Sequence, residues 1–448
     1  MQFDAIIIGS GQAGNPLASR LAEAGWSVAL IERDKFGGTC VNVGCTPTKT
    51  MVARAQIAHY ARDAARWGIH AENVSVDMPT VIRQKAQVVQ EWSDSVRKEL
   101  EKNPKITVIC EEAKFVGPKR LNVGNQVLES PHIFIDTRAS PTIPNIPGLA
   151  QTPFLTNQSA IELVEVPDSL ILIGGGYIGL EFGQMFSRFG SKVTVIQGTG
   201  QLAPNEDEDV AVELQRALEA EGIVVELNAK VESVSYKDGF TVDLGGHALQ
   251  GSHLLVATGR TPRTKDLNLE PTGVELTSHG AIKVNDRLET NVPGIWALGD
   301  VNGGPAFTHI SYNDYQIVAG NLLENANRST KDRIVPYCMF TDPQLGGFGL
   351  TEKKAKELGK AIKVGKLMMS RVARAVERDE TAGLMKLIVD AETDQILGST
   401  ILGTEGGEIV QILLTSAFLK QPYTKLKDAI WIHPTLAEGI FRLIESVA

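Results

Sequence analysis

Residues 6–14 read Ile6-Ile7-Ile8-Gly9-Ser10-Gly11-Gln12-Ala13-Gly14, an apolar run that breaks into three spaced glycines. The flanking sequence predicts a strand over residues 4–9, a helix over 11–24 and a second strand over 27–32 that ends on Glu32. In that setting the glycines let the backbone approach a pyrophosphate at a helix N-terminus, and an acid about 20 residues on takes a ribose hydroxyl. Gly-x-Gly-x-x-Gly alone is a weak signal. Strand, turn, helix, strand and acid together read as a dinucleotide-binding unit, and the expected fold class is α/β.

The pattern returns downstream. Residues 169–173 predict a strand, Gly174-Gly175-Gly176-Tyr177-Ile178-Gly179 the turn, 179–189 a helix and 192–196 the next strand, so a second dinucleotide is expected. Here the acid is replaced by Gln197, followed by Gly198 and Thr199. An amide neither favours a 2′-hydroxyl as a carboxylate does nor supplies the cation a 2′-phosphate wants.

Between the two units lies Gly37-Gly38-Thr39-Cys40-Val41-Asn42-Val43-Gly44-Cys45-Thr46-Pro47-Thr48-Lys49. Five residues of regular helix span about 7.5 Å, and a disulfide needs its Cα atoms within about 7 Å. The chain must therefore curl for the two cysteines to bridge, and the three glycines supply that freedom. Pro47 suits the first turn of a helix, whose positive end would favour a thiolate at Cys45. A thiol pair beside a nucleotide site reads as a redox-active disulfide fed by a flavin.

The 448 residues are too many for one core. Proline-rich 141–148 marks the first boundary. The expected layout is a first dinucleotide-binding part over 1–145, a second dinucleotide domain over 146–262, a return to the first over 263–332, and a separate α+β segment over 333–448. Strands are also expected at 106–116, 127–136, 254–259 and 294–299, and helical spacing at 79–103. With 44 basic against 53 acidic residues and no basic run interleaved with aromatics, no nucleic-acid partner is expected. No apolar run reaches the roughly 18 residues of a membrane span, and residues 1–9 already read as a strand, so a cytoplasmic address is expected. Cys110 and Cys338 are expected to be core thiols, and Glu206-Asp207-Glu208-Asp209 a solvated helix start. No metal site is expected, because Cys40 and Cys45 lack zinc-ligand spacing.

Taken together, the two fingerprints, the Cys-x4-Cys motif and the terminal Trp431-Ile432-His433-Pro434-Thr435-Leu436-Ala437-Glu438 resemble the class I flavoprotein disulfide reductases over essentially the whole chain. Thr46–Thr50, Leu255–Pro262 and Phe340–Pro343 look most like the mercuric-reductase branch. The resemblance implies two Rossmann-like domains and a C-terminal dimerisation domain, with FAD in the first site and NAD(P)H in the second. The partners it implies are a second copy of the chain and a small-molecule disulfide or a metal ion as acceptor. Carried over residue by residue, Gly9, Gly11, Gly14, Glu32, Gly38, Thr39, Ala113 and Asp300 hold FAD, with Lys49 near its ring paired with Glu181. Gly174, Gly176, Tyr177, Gly179, Gln197, Val231 and Gly259 complete the cofactor set, Tyr177 as gate of the nicotinamide pocket. Cys45 matches the thiolate against the flavin and Cys40 the interchange thiol. His433 and Glu438 match an acid–base pair delivered across a homodimer.

The likeness has departures. Residues 441–448 carry no cysteine pair, no metal-binding module precedes the first strand, and efficient mercury turnover is not expected. Thr137-Arg138-Ala139 places a cation where the family has Thr-Gly. Three function classes stay open: an NAD(P)H-dependent disulfide or metal-ion reductase, a flavin oxidase or electron-transfer reductase with an idle disulfide, and a docking subunit such as a dihydrolipoamide dehydrogenase of a 2-oxoacid complex.

Overall fold

The computed structural model describes Met1–Ala448 and divides into two compact units. The first comprises Met1–Met51, Pro79–Thr142 and Gly259–Arg333, and the second Val52–Met78, Ile143–Thr258 and Ile334–Ala448.

In the first unit a parallel sheet runs in the order Ile295–Ala297, His132–Ile135, Ala5–Ile8, Val28–Ile31, Ile106–Ile109. Every residue of Ala5–Ile8 and Val28–Ile31 is buried, as expected for parallel strands covered on both faces. Ala5, Ile7, Leu30 and Phe134 pack with Leu17 and Leu21 of helix Gly14–Glu23 and Ile317 and Val318 of helix Thr308–Glu324. Ile6, Ile8 and Ile133 pack instead with Phe115, Leu121 and Leu128 of an antiparallel sheet, Ala113–Gly117, Arg120–Val123 and Gln126–Glu129. Each such fully buried side chain contributes about 1.5–3 kcal/mol.

The second unit holds a parallel sheet ordered Val224–Glu226, Lys192–Ile196, Ser169–Ile173, His253–Val256. Its other large sheet is antiparallel, in the order Pro336–Met339, Gln344–Gly349, Ile396–Gly403, Leu384–Asp390, Ile362–Met368. Met385, Leu387 and Ile401 of that sheet share a core with Ile409 and Leu413 of helix Gly406–Phe418 and with Ile440 and Leu443 of helix Gly439–Glu445. The expected pair of Rossmann-like folds and the α+β C-terminal segment are thus present. No helix is long and apolar enough to cross a membrane.

Several local expectations are corrected. The strand expected over 106–116 is two strands in different sheets, Ile106–Ile109 and Ala113–Gly117. The strand expected over 127–136 breaks at Ser130-Pro131 into Gln126–Glu129 and His132–Ile135, because proline cannot donate to a ladder. Cys110 is exposed beyond the end of its strand rather than in a core, and Cys338 is half-buried. Glu206 and Asp207 are not solvated. Both are buried, and Asp207 accepts the N–H groups of Glu352 and Lys353 while pairing with Lys386 at 3.0 Å.

Candidate dinucleotide and thiol sites

The first fingerprint is shaped by close packing. Gly9 has φ +109°, and a Cβ there would lie 2.1 Å from the Asp136 carbonyl oxygen. A Cβ on Gly14 would meet the Gly9 carbonyl at 2.3 Å, and one on Gly11 the Asp136 carboxylate at 2.4 Å. The helix begins at Gly14, later than the sequence predicts, because residues 9–13 are spent on the turn. Asp136 is the residue that sequence reasoning missed. Buried at the end of its strand, it accepts the Gly14 N–H at 2.8 Å, and burial pushes its pKa up to about 8. The available signal was an apolar strand ending in Asp, where the adjacent strand Ala5–Ile8 runs into Gly9 and the strand beyond it into Glu32.

Glu32 stands at the end of the neighbouring strand, buried. Its Oε2 accepts the Ser10 N–H and its Oε1 the Asp34 N–H, both at 2.9 Å. Arg138 pairs with the same Oε2. A cleft opens here, lined by Gly9, Glu32, Arg33, Glu112, Arg138 and Arg263 among others. Three glycines at a helix N-terminus, an acid and an adjoining cleft fit the adenosine end of a dinucleotide. Gly38 joins this loop, since its Cβ would come within 2.9 Å of the Gly11 Cα. Asp300 lies in the short helix Gly299–Asn302, where burial raises its pKa against the opposing charge of Arg260, 3.6 Å away. That turn is held by Asp314, fully buried, which accepts from Gly299 N–H and Asn302 and pairs with Arg333. Asp314 too was missed, having no local motif. Gly259, with φ +132°, accepts the Thr142 N–H through its carbonyl, also in this unit.

The cysteines occupy successive helices, Gly38–Val43 and Cys45–Asp63, joined by Gly44. Gly44 has φ −123° and ψ −115°, and a Cβ would meet the Thr39 carbonyl at 2.8 Å and the Cys40 Cα at 3.3 Å. This bend is the curl that the spacing demanded. It brings Cys40 and Cys45 into hydrogen-bonding contact, although no disulfide joins them in this structure, contrary to expectation. The contact with Cys45 is the main reason the Cys40 thiol is held well above its usual pKa, with burial next. Cys45 opens its helix, where the dipole favours a thiolate, and its Sγ lies 3.3 Å from the Thr308 hydroxyl. Thr39 and Lys49 flank the pair, Lys49 one turn into the second helix.

In the second unit the glycine turn repeats the device. Gly174 has φ +115°, a Cβ on Gly179 would sit 2.0 Å from the Gly174 carbonyl, and Gly176 faces open space. The helix starts at Tyr177, two residues before the expected start. Gln197 mirrors Glu32: its amide oxygen accepts the Gly175 N–H at 2.9 Å and its Nε2 donates to Thr199 at 2.6 Å. Val231 packs against the apolar core of this domain. Tyr177 donates to Glu206 at 2.6 Å, and Tyr337 donates to the other oxygen at 3.1 Å, with the rings 5.7 Å apart. Burial raises the Glu206 pKa against both bonds. Glu181 is buried in the same helix and accepts the Phe340 N–H at 2.8 Å.

His433 and Glu438 meet as the sequence spacing implied. Nδ1 of His433 lies 2.9 Å from Glu438 Oε2 and 3.1 Å from Oε1, with the imidazole 73% exposed. Ile430 and Ile432 beside it are almost wholly exposed.

Comparison with known proteins gives matches over the whole chain. Residues 3–314 match the pyridine nucleotide-disulphide oxidoreductase model, and 335–443 the dimerisation domain of that family. The chain is 38% identical to the probable pyridine nucleotide-disulfide oxidoreductase RclA of Escherichia coli, over 100% of this chain and 99% of that protein. It is 35% identical to a mercuric reductase of Bacillus cereus, over 98% of this chain and 70% of that protein. A solved Cu(II) complex of the HOCl-induced flavoprotein disulfide reductase RclA from Escherichia coli superposes with TM-score 0.92, at 38% identity and 99% coverage of both chains.

Proposed function

This chain belongs to the pyridine nucleotide-disulphide oxidoreductase family, and from that premise we propose that it passes an electron pair from NAD(P)H to the Cys40–Cys45 couple and on to a small disulfide or a metal ion. It is an FAD- and NAD(P)H-dependent oxidoreductase. The observation that carries the finer reading is the Gly44 bend, which holds two thiols in contact at a helix N-terminus while Gly38 packs on the first fingerprint loop.

FAD, bound at the first fingerprint, would accept hydride from NAD(P)H and hand both electrons to the disulfide. The chain supplies the rest. Gly9, Gly11 and Gly14 hold the loop open to the diphosphate, and Glu32 faces the ribose. Cys45 is kept as the thiolate by its helix, and Cys40 keeps its proton until it attacks the acceptor. Reducing one acceptor disulfide to two thiols consumes two electrons and two protons, one with the hydride and one from solvent. Glu438 holds the Nδ1–H of His433, so Nε2 is the atom that takes and returns a proton. The exposed Ile430 and Ile432 beside His433 favour a homodimer that covers them, supported by the matched dimerisation domain. Lys49, Glu181 and Tyr177 keep the roles the family resemblance gives them, as does the division into domains.

The test is anaerobic reduction of the holoenzyme with NADH or NADPH, then reoxidation with a panel of disulfides, Cu(II) and Hg(II). Turnover that vanishes in Cys45→Ser supports the reading. Undiminished acceptor reduction in that variant would favour an electron-transfer flavoprotein with an idle thiol pair.

A further inference from the structure

Arg138 has φ +70°, a left-handed conformation that costs a residue with a side chain about 1 kcal/mol or more. Its guanidinium is 13% exposed and lies 2.5 Å from Glu32 Oε2, itself 4% exposed. Its other side-chain partner is the Lys35 carbonyl at 3.4 Å. Arg33 and Arg263 line the same cleft, and the Arg263 N–H donates to the Arg138 carbonyl at 3.0 Å. Arg33 is paired in that cleft with Glu112 and Asp266, and Arg263 donates to the Ser140 hydroxyl, so Arg138 is the cation that meets Glu32 beside the fingerprint loop. A dinucleotide brings a doubly charged diphosphate to that loop, and a bare Glu32 carboxylate would repel it. Paired with Arg138, the carboxylate keeps its acceptor geometry and loses most of its field.

We infer that Arg138 is a positioning residue of the first dinucleotide site, acting through Glu32 to slow release of the anionic cofactor. The inference rests on the reading that FAD occupies this fingerprint. Arg138 does no chemistry and touches no reacting atom. It sets how long the flavin stays.

The test follows flavin release from the holoenzyme on dilution, read as the rise of free-flavin fluorescence, with far-UV circular dichroism to verify the fold. Arg138→Gly, which also relieves the left-handed backbone, should release flavin at least about tenfold faster, the scale of one charge-assisted bond. Arg138→Lys should stay within about threefold of the parent because it keeps the charge. In a Glu32→Gln background, where no carboxylate needs screening, Arg138→Gly should change the rate less than about threefold. Unchanged or slower release in Arg138→Gly overturns the inference, and so does an equal effect in both backgrounds. If the glycine variant does not fold, Arg138→Asn, which tolerates the left-handed region, takes its place with the same thresholds. Gly11→Ala separates the two failures. If folded Gly11→Ala keeps its flavin, the placement of FAD is wrong. If it loses flavin while Arg138→Gly keeps the parent rate, only the role of Arg138 falls.

Discussion

Asp136→Asn should make the protein more stable in alkaline solution and leave it unchanged in acid. The Asp136 carboxyl is pushed from 3.8 up to about 8, by burial first and with the Asp300 charge adding to it, against the Gly14 N–H and the Arg138 charge. Between about pH 4 and pH 8 the folded chain therefore holds a proton that the unfolded chain has lost. Stability falls as pH rises through that window and levels off above it. Each pH unit of separation is worth about 1.4 kcal/mol, so the full span approaches 6 kcal/mol. Relaxation and water access reduce such penalties in real interiors, and about 3 kcal/mol is expected at pH 9. With about 2.1 cal/mol/K of unfolding entropy per residue over this length, that is a change in Tm of about 3 °C. The asparagine oxygen can still accept the Gly14 N–H, and the charge is gone. Melting of the holoenzyme by circular dichroism should give coincident Tm values at about pH 3.5 and a gain of about 3 °C for the variant at pH 9. A constant offset at every pH, or a lower Tm at pH 9, would refute the claim that burial governs this carboxyl.

Gln197 is bound to Gly175 and Thr199 and brings neither an acid nor a cation to the ribose. NADH and NADPH should therefore differ by less than about tenfold in kcat/KM, and Gln197→Glu should shift the ratio toward NADH. A thousandfold preference would contradict this, and Arg260 and Arg263 are already engaged with Ala139 and Ser140 in the first unit. A hybrid dimer of one His433→Ala chain and one Cys45→Ser chain should regain activity above either parent if the histidine is supplied across the two-fold axis. No gain would place catalysis within one chain. Lys386→Met removes the cation held by Asp207, Asp209 and Glu352 at 2.7–3.1 Å and should cost about 3 kcal/mol, seen as a Tm drop of about 3 °C. An unchanged Tm would show that the cluster is fully solvated in practice.

Much of this architecture can be read from sequence because the chemistry demands particular residues at fixed spacing. Only glycine fits at Gly9, Gly14, Gly174 and Gly179, so both fingerprints announce themselves, as does the Cys40–Cys45 curl with its intervening Gly44. His433 and Glu438 are close enough in sequence to be seen as a pair. What stayed hidden depends on partners distant along the chain. Arg138 is explained by Glu32, 106 residues earlier. The run at residues 206–209 reads as solvated because charges usually face water, yet Tyr177, Tyr337 and Lys386 come from elsewhere to receive it. Asp136 and Asp314 each hold a backbone turn through a single side chain, which leaves no local pattern. The continuous apolar stretches at 106–116 and 127–136 concealed breaks because hydrophobicity alone does not tell one strand from two.

The Gly44 bend also bears on energetics that neither sulfur controls alone. How readily Cys40 and Cys45 close is set by the effective molarity of one thiol toward the other, a property of the backbone between them. Gly44→Ala would force its Cβ against the Thr39 carbonyl and spread the pair without touching either cysteine. Every tenfold loss of effective molarity raises the midpoint potential of the couple by about 30 mV. Drawn far enough toward the potential of its acceptor, the couple would lose the driving force that empties it. A residue with no functional group thus sets the direction in which electrons leave the protein.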